Sequence, residues 1–98
     1  MSYSLYTNEQ NHLIQLPLAG VDPQAIEVFV ENNELVIQAK RTLPEGNLLV
    51  GELPSHNIEK RFSLDASTDP SNIQASYQNG LLSLTVAKRS KRIDVQIA

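Results

Sequence analysis

The side chains able to pass a proton, attack a carbonyl or hold a metal are few in this 98-residue sequence. They are His12, His56, a scatter of serines, and 11 Asp plus Glu. His12 opens a β-like run and His56 stands beside Pro54 and Ser55; neither has a second ligand at metal spacing. Both read as solvent-exposed. The absence of Cys removes a thiolate ligand, a cysteine nucleophile and a disulfide framework together. There is no G-x-S-x-G elbow, and Gly20, Gly46, Gly51 and Gly80 never gather into a phosphate cradle. The carboxylates alternate along outer strand faces and do not pair as an acid–base couple. No catalytic, cofactor or metal site is therefore expected, and the chain does not read as an enzyme.

One charged side chain is out of place. Lys60 shares its strand face with Ile58, Phe62 and Leu64, so it points toward the apolar side. Stripping water from an unpaired ammonium costs several kcal/mol. Two readings follow: an ion pair to a carboxylate on a partner subunit, or a methylene stem that packs while the amine reaches water. The residues alone do not choose between them.

The elements that must position these groups are strands throughout, because period two dominates. Leu13 to Leu18 forms a strand ending near Pro17, and Gly20-Val21-Asp22-Pro23 carries turn chemistry. Ile26, Val28 and Val30 then alternate with Glu27, Phe29 and Glu31. Asn32-Asn33 suits a tight hairpin, since Asn tolerates positive φ. The return strand puts Leu35, Ile37 and Ala39 on one face, opposite Val36, Gln38 and Lys40. Breakers surround Leu48-Leu49-Val50, which reads as a short edge strand in need of a partner. After the strand holding Ile58 to Leu64, Asp69-Pro70-Ser71 is expected to break the chain. Ile73, Ala75 and Tyr77 lead into Asn79-Gly80, a strong hairpin signal, and Leu82, Leu84 and Val86 return. Ile93, Val95 and Ile97 form a last apolar comb, either a final strand of the same sheet or a mobile peptide that adds to another edge. About eight short strands with no 3.6-residue repeat make an all-β antiparallel sandwich.

Length limits this to one domain, with a compact surface of roughly 5,600 Å² and about 65% of the unfolded chain's surface buried. Four of the eight basic residues, Lys88, Arg89, Lys91 and Arg92, fall in the last eleven positions against Asp94 alone. Without interleaved aromatics this is a weak nucleic-acid footprint and reads as a solvated linker. Met1 to Asn11 carry neither a basic n-region nor an apolar h-region, and no apolar run nears the ~20 residues a bilayer needs. A cytoplasmic chain without membrane or nucleic-acid partners is expected.

Several motifs, in order, resemble one family. Leu18-Ala19-Gly20-Val21-Asp22-Pro23, Ile26-Glu27-Val28 and Asn33-Glu34-Leu35-Val36-Ile37 resemble the start of the α-crystallin domain of small heat-shock proteins. Glu59-Lys60-Arg61-Phe62-Ser63-Leu64 continues it, and Ala75-Ser76-Tyr77-Gln78-Asn79-Gly80-Leu81-Leu82 looks like the family's A-x-x-x-n-G-x-L signature. Arg92-Ile93-Asp94-Val95 is similar to its C-terminal I-x-I/V motif in bacterial form, and the details look most like the inclusion-body-binding branch. Ala19, Asp65 and Ala87 stand where members often have Pro, and Lys60 where they have an interface Arg, which keeps the charge but loses the bidentate fork. Fewer than about ten residues precede the first strand, where members carry an arm of tens.

The resemblance implies an immunoglobulin-like α-crystallin domain over residues 1–87, with a protruding loop strand, and a C-terminal extension over 88–98. It implies a homodimer by strand exchange, with Leu48, Leu49, Val50 and Gly51 pairing on the partner's Tyr3, Ser4, Leu5 and Tyr6, and Lys60 at the interface. It places Ile93 and Val95, with Ile97 beyond, in a groove of Ile26, Val28, Val30, Ile73, Ala75 and Tyr77, permitting a higher homo-oligomer. The implied function is an ATP-independent holdase for unfolding client proteins. A CS-type co-chaperone module and a structural assembly protein are the alternatives.

Overall fold

A computed structural model of the chain describes residues 3–51, 57–89 and 97. Seven strands are present among them: β1 (Ser4–Thr7), β2 (Asn11–Pro17), β3 (Ile26–Glu31), β4 (Glu34–Lys40), β5 (Asn57–Ser63), β6 (Thr68–Gln78) and β7 (Leu81–Lys88). They form two antiparallel sheets, ordered β1-β2-β7-β6 and β3-β4-β5. The all-β sandwich expected from the alternation is the observed architecture.

Turn chemistry acts where it was read. Asn32 and Asn33 take φ of 51° and 61° in the β3–β4 hairpin, and Asn79 and Gly80 take 53° and 78° in the β6–β7 hairpin. Gly80 is needed for a second reason: a Cβ there would lie 3.1 Å from the Ala19 Cα. Its carbonyl oxygen accepts the Leu18 N–H at 2.7 Å, so two turns distant in sequence are packed backbone to backbone. Asp22 starts the 3-10 turn Pro23–Ala25 by accepting the Gln24 N–H at 2.8 Å, with Pro23 set for its first position.

The core lies between the sheets. Ile14, Leu16, Leu18, Leu82, Leu84 and Val86 come from one side, and Leu35, Ile37, Ala39 and Ile58 from the other. Val36 lies on the outer face with Gln38 and Lys40 as read, and is nevertheless fully buried there. Its cross-strand neighbours are Phe29 and Arg61. Glu34 and Glu59, 3.8 and 3.4 Å away, hold the Arg61 guanidinium over that face.

Two expectations are corrected. Asp69-Pro70-Ser71 does not end a strand, because β6 runs through it with a register shift between Thr68 and Ile73. β6 is an edge strand, where a proline without an N–H breaks no ladder bond. Leu48-Leu49-Val50 is not a strand in the single chain. No neighbouring backbone offers it a ladder, and its side chains are 82%, 93% and 75% exposed.

Candidate functional site

A two-sheet sandwich has two flanks, and among the described residues no strand ladder closes either of them. On one flank β3 is the edge of its sheet and β6 the edge of the other, with no ladder between them. Period two turns Ile26, Val28 and Val30 inward from β3, and Ile73, Ala75 and Tyr77 inward from β6. Ile26, Val28, Ile73 and Tyr77 are half-buried against the core, while Val30 and Ala75 are exposed. These six residues form an inward-facing, mostly apolar row along the two strand edges. Tyr77 is fixed in it: the hydroxyl lies 2.6 Å from the Leu18 carbonyl oxygen and 2.9 Å from that of Val21. The sequence places Tyr77 on the right face but gives no sign of this anchorage, which depends on a loop 56 to 59 positions away.

The second flank lies between β1 and β5. The Tyr3 ring meets Phe62 edge-on at 5.2 Å, and the Lys60 Nζ stands 4.7 Å from the Tyr3 ring centroid. Lys60 is half-buried and turned inward as its register required. Its charge rests on an aromatic face, an arrangement that neither sequence reading included. Beneath β1 lies a pocket of about 220 Å³ lined by His12 with Leu5, Ile14, Phe62, Leu64 and Val86, and by the polar Ser63, Asp65 and Thr68. His12 is not the exposed side chain expected, since it shares the inward face of β2 with Ile14 and Leu16. It is half-buried, and its Nδ1 is buried without a hydrogen-bond partner. The same alternation that found the core carried this signal. His56 lies outside the described residues.

Three carboxylates are held below their ordinary range, and all are exposed. A hydrogen bond from Gln38, then the charge of Arg61, lowers Glu59. Asp65 is lowered first by the Ser67 hydroxyl and then by its N–H, and Asp69 likewise by the Ser71 hydroxyl and N–H. The Glu59 contacts run across and along strands, and the two aspartates accept local bonds from residues two positions on. Among the described residues, no group of three or more His, Asp or Glu side chains gathers as a metal site. Among the same residues no helix is long and apolar enough to cross a membrane.

The remaining expected site residues divide by place. Tyr3, Ser4, Leu5 and Tyr6 are exposed on or beside β1, whose outer edge is unpaired. Leu48 to Gly51 are exposed in the β4–β5 connection. Ile93 and Val95 lie outside the described residues, and Ile97 is 98% exposed.

The family model of the Hsp20/alpha crystallin family matches residues 5–98. The chain is a member of that family. Among its relatives is a probable 15 kDa heat shock protein of Leptospira interrogans, 31% identical over 97 residues, covering 94% of this chain and 75% of that one. An 18 kDa heat shock protein of Streptomyces albus G is 33% identical over 93 residues, 88% of this chain, which spans just under two-thirds (64%) of that protein's length. The structure of a small heat-shock protein from Xylella fastidiosa superposes with a TM-score of 0.86 at 25% identity, covering 99% of this chain and 93% of that one. HspA of Xanthomonas axonopodis gives 0.77 at 25% identity over 90% and 92%. The α-crystallin sandwich read from the sequence is thus the fold of this small heat-shock protein, and its family is one of chaperones.

Proposed function

We propose that this small heat-shock protein is an ATP-independent holdase, which binds unfolding proteins, keeps them from aggregating and performs no chemistry. What supports it is a row of inward-facing apolar side chains, Ile26, Val28, Ile73 and Tyr77 among them, on two strand edges that have no ladder between them among the described residues. Such a row accepts an extended apolar segment by side-chain burial and by pairing on an edge.

Residues 1–87 would be the α-crystallin domain and 88–98 an extension that covers the groove with Ile93 and Val95, Ile97 following. Burying each side chain contributes about 1.5–3 kcal/mol before ordering costs, weak enough to release on warming. The linker from Lys88 to Arg92 spans at most about 17 Å, so the groove it reaches is its own or that of its dimer partner. The dimer would form by exchange, with Leu48 to Gly51 of one copy adding to β1 of the other and Lys60 meeting a carboxylate there. The open β1 edge and the exposed Leu48-Leu49-Val50 run support this. Tail docking between dimers would build a larger homo-oligomer. The proposed setting is the cytoplasm, with no nucleic-acid or membrane partner.

Light scattering of a heat-aggregating client without ATP tests the holdase. Suppression near stoichiometric ratios is the expected result. Undiminished aggregation would overturn it in favour of a co-chaperone or an assembly module.

A further inference from the structure

The exchange proposed above leaves open which side chains of the added segment face the core, and the structure carries that further. Alternation along β1 is fixed by its partner strand. Leu5 lies opposite Ile14 and Thr7 opposite His12, while Tyr6 lies opposite Leu13. Ile14 is a core residue, so Tyr3, Leu5 and Thr7 face inward and Ser4 and Tyr6 face out. The inward pair of apolar residues is poorly covered, with Tyr3 44% and Leu5 55% exposed beside the 220 Å³ pocket. The outer face of β1 offers one apolar residue, Tyr6, at 58%.

A strand added beside β1 in the same sheet shares its inner and outer faces. Of three consecutive apolar residues, two face one side and one the other. Two apolar seats inside and one outside match only one parity. We propose that Leu48 and Val50 of a second copy face inward, against Tyr3, Leu5 and the mouth of the β1/β5 pocket, with Leu49 outward over Tyr6. The neighbouring residue supports this, since Gly51 would then fall on the outer face, where no apolar seat remains. In the single chain the Leu48 side chain folds back on Gly51, where a Cβ would meet its Cδ2 at 3.1 Å. This proposal rests on the exchange reading, and its test separates the two.

Leu48→Asp, Leu49→Asp and Val50→Asp are compared in the full chain by sedimentation equilibrium, with circular dichroism as the check on folding. All three sites are exposed in the single chain, so the sandwich itself should be undisturbed. Leu48→Asp and Val50→Asp should each weaken the dimer at least about a hundredfold, and Leu49→Asp less than about tenfold. A dimer broken by Leu49→Asp but not by the other two, or by all three alike, overturns the parity while exchange survives. A parent chain that is monomeric, or three variants that all dimerise like the parent, overturns exchange itself.

A second measurement does not depend on affinity. The chain has no cysteine, so Leu5→Cys chains mixed with Leu48→Cys or with Val50→Cys chains should oxidise to a covalent heterodimer in at least one of the two pairings, and Leu5→Cys with Leu49→Cys should not. The reverse pattern overturns the parity.

Discussion

The Tyr77 hydroxyl has one proton and two carbonyl oxygens in reach, those of Leu18 at 2.6 Å and Val21 at 2.9 Å. It ties the β2–β3 connection to β6 and fixes the ring in the inward-facing row. Tyr77→Phe keeps the ring and loses the tie. Leaving the Val21 carbonyl without this donor should destabilise the fold by about 1–2 kcal/mol. A urea titration of both proteins reads this as a lower midpoint at unchanged slope. Lys60 gives a second test at this scale. Cation–π contacts at partly exposed sites are worth about 0.5–1 kcal/mol. A double-mutant cycle of Lys60→Ala and Tyr3→Ala should return a coupling of that size under conditions where the chain is monomeric. No coupling would return Lys60 to the snorkelling reading.

Two carboxylates brace the chain, one between β5 and β6 and one in the irregular start of β6. Asp65 accepts from the Ser67 hydroxyl and, at 2.8 Å, from its N–H, and Asp69 accepts from Ser71 in the same way. Both carboxyls are lowered from 3.8 in the folded chain. The folded state therefore keeps them ionised where the unfolded chain already binds protons. Their contribution is complete above the unfolded value and is lost as pH falls through the folded ones, below about pH 4. The melting temperature should drop less between pH 5 and pH 3 in an Asp65→Asn, Asp69→Asn variant than in the parent.

Strand elements were legible where a half-buried ladder imposes alternation, as in Leu35-Ile37-Ala39 and Leu82-Leu84-Val86, and where Asn or Gly must take positive φ. β1 was not, because Ser-Leu-Tyr-Thr is short and exposed throughout; only the family resemblance located it. The face of Val36 was legible, but its full burial was not, because it lies between Phe29 and Arg61 on two other strands, a tertiary fact that no local pattern holds. The facing of Ile26, Val28, Ile73 and Tyr77 was legible from alternation. The Tyr77 tie and the Lys60–Tyr3 contact were not, since each joins residues brought together only by sheet stacking.

At the scale of the whole molecule, the described residues leave the outer edges of β1, β3, β5 and β6 without a ladder partner and Leu48-Leu49-Val50 exposed. Replacing Ile93 and Val95 by Ala should leave dimers where the parent forms larger assemblies, as native mass measurement would show. An unchanged assembly would remove the tail from that role.

The sheet order also has a consequence for synthesis. β3, β4 and β5 are consecutive along the chain and can pair as each is made, but β2 pairs with β7, with Gln15 and Ser83 bonded across 68 positions. At ribosomal rates that interval lasts on the order of several seconds, during which β2 has no β7 beside it and Ile14, Leu16 and Leu18 lack the Leu82, Leu84 and Val86 that complete their side of the core. Each new copy is for that time an incompletely folded chain with bare apolar residues, so copies already finished would be among its first available protectors.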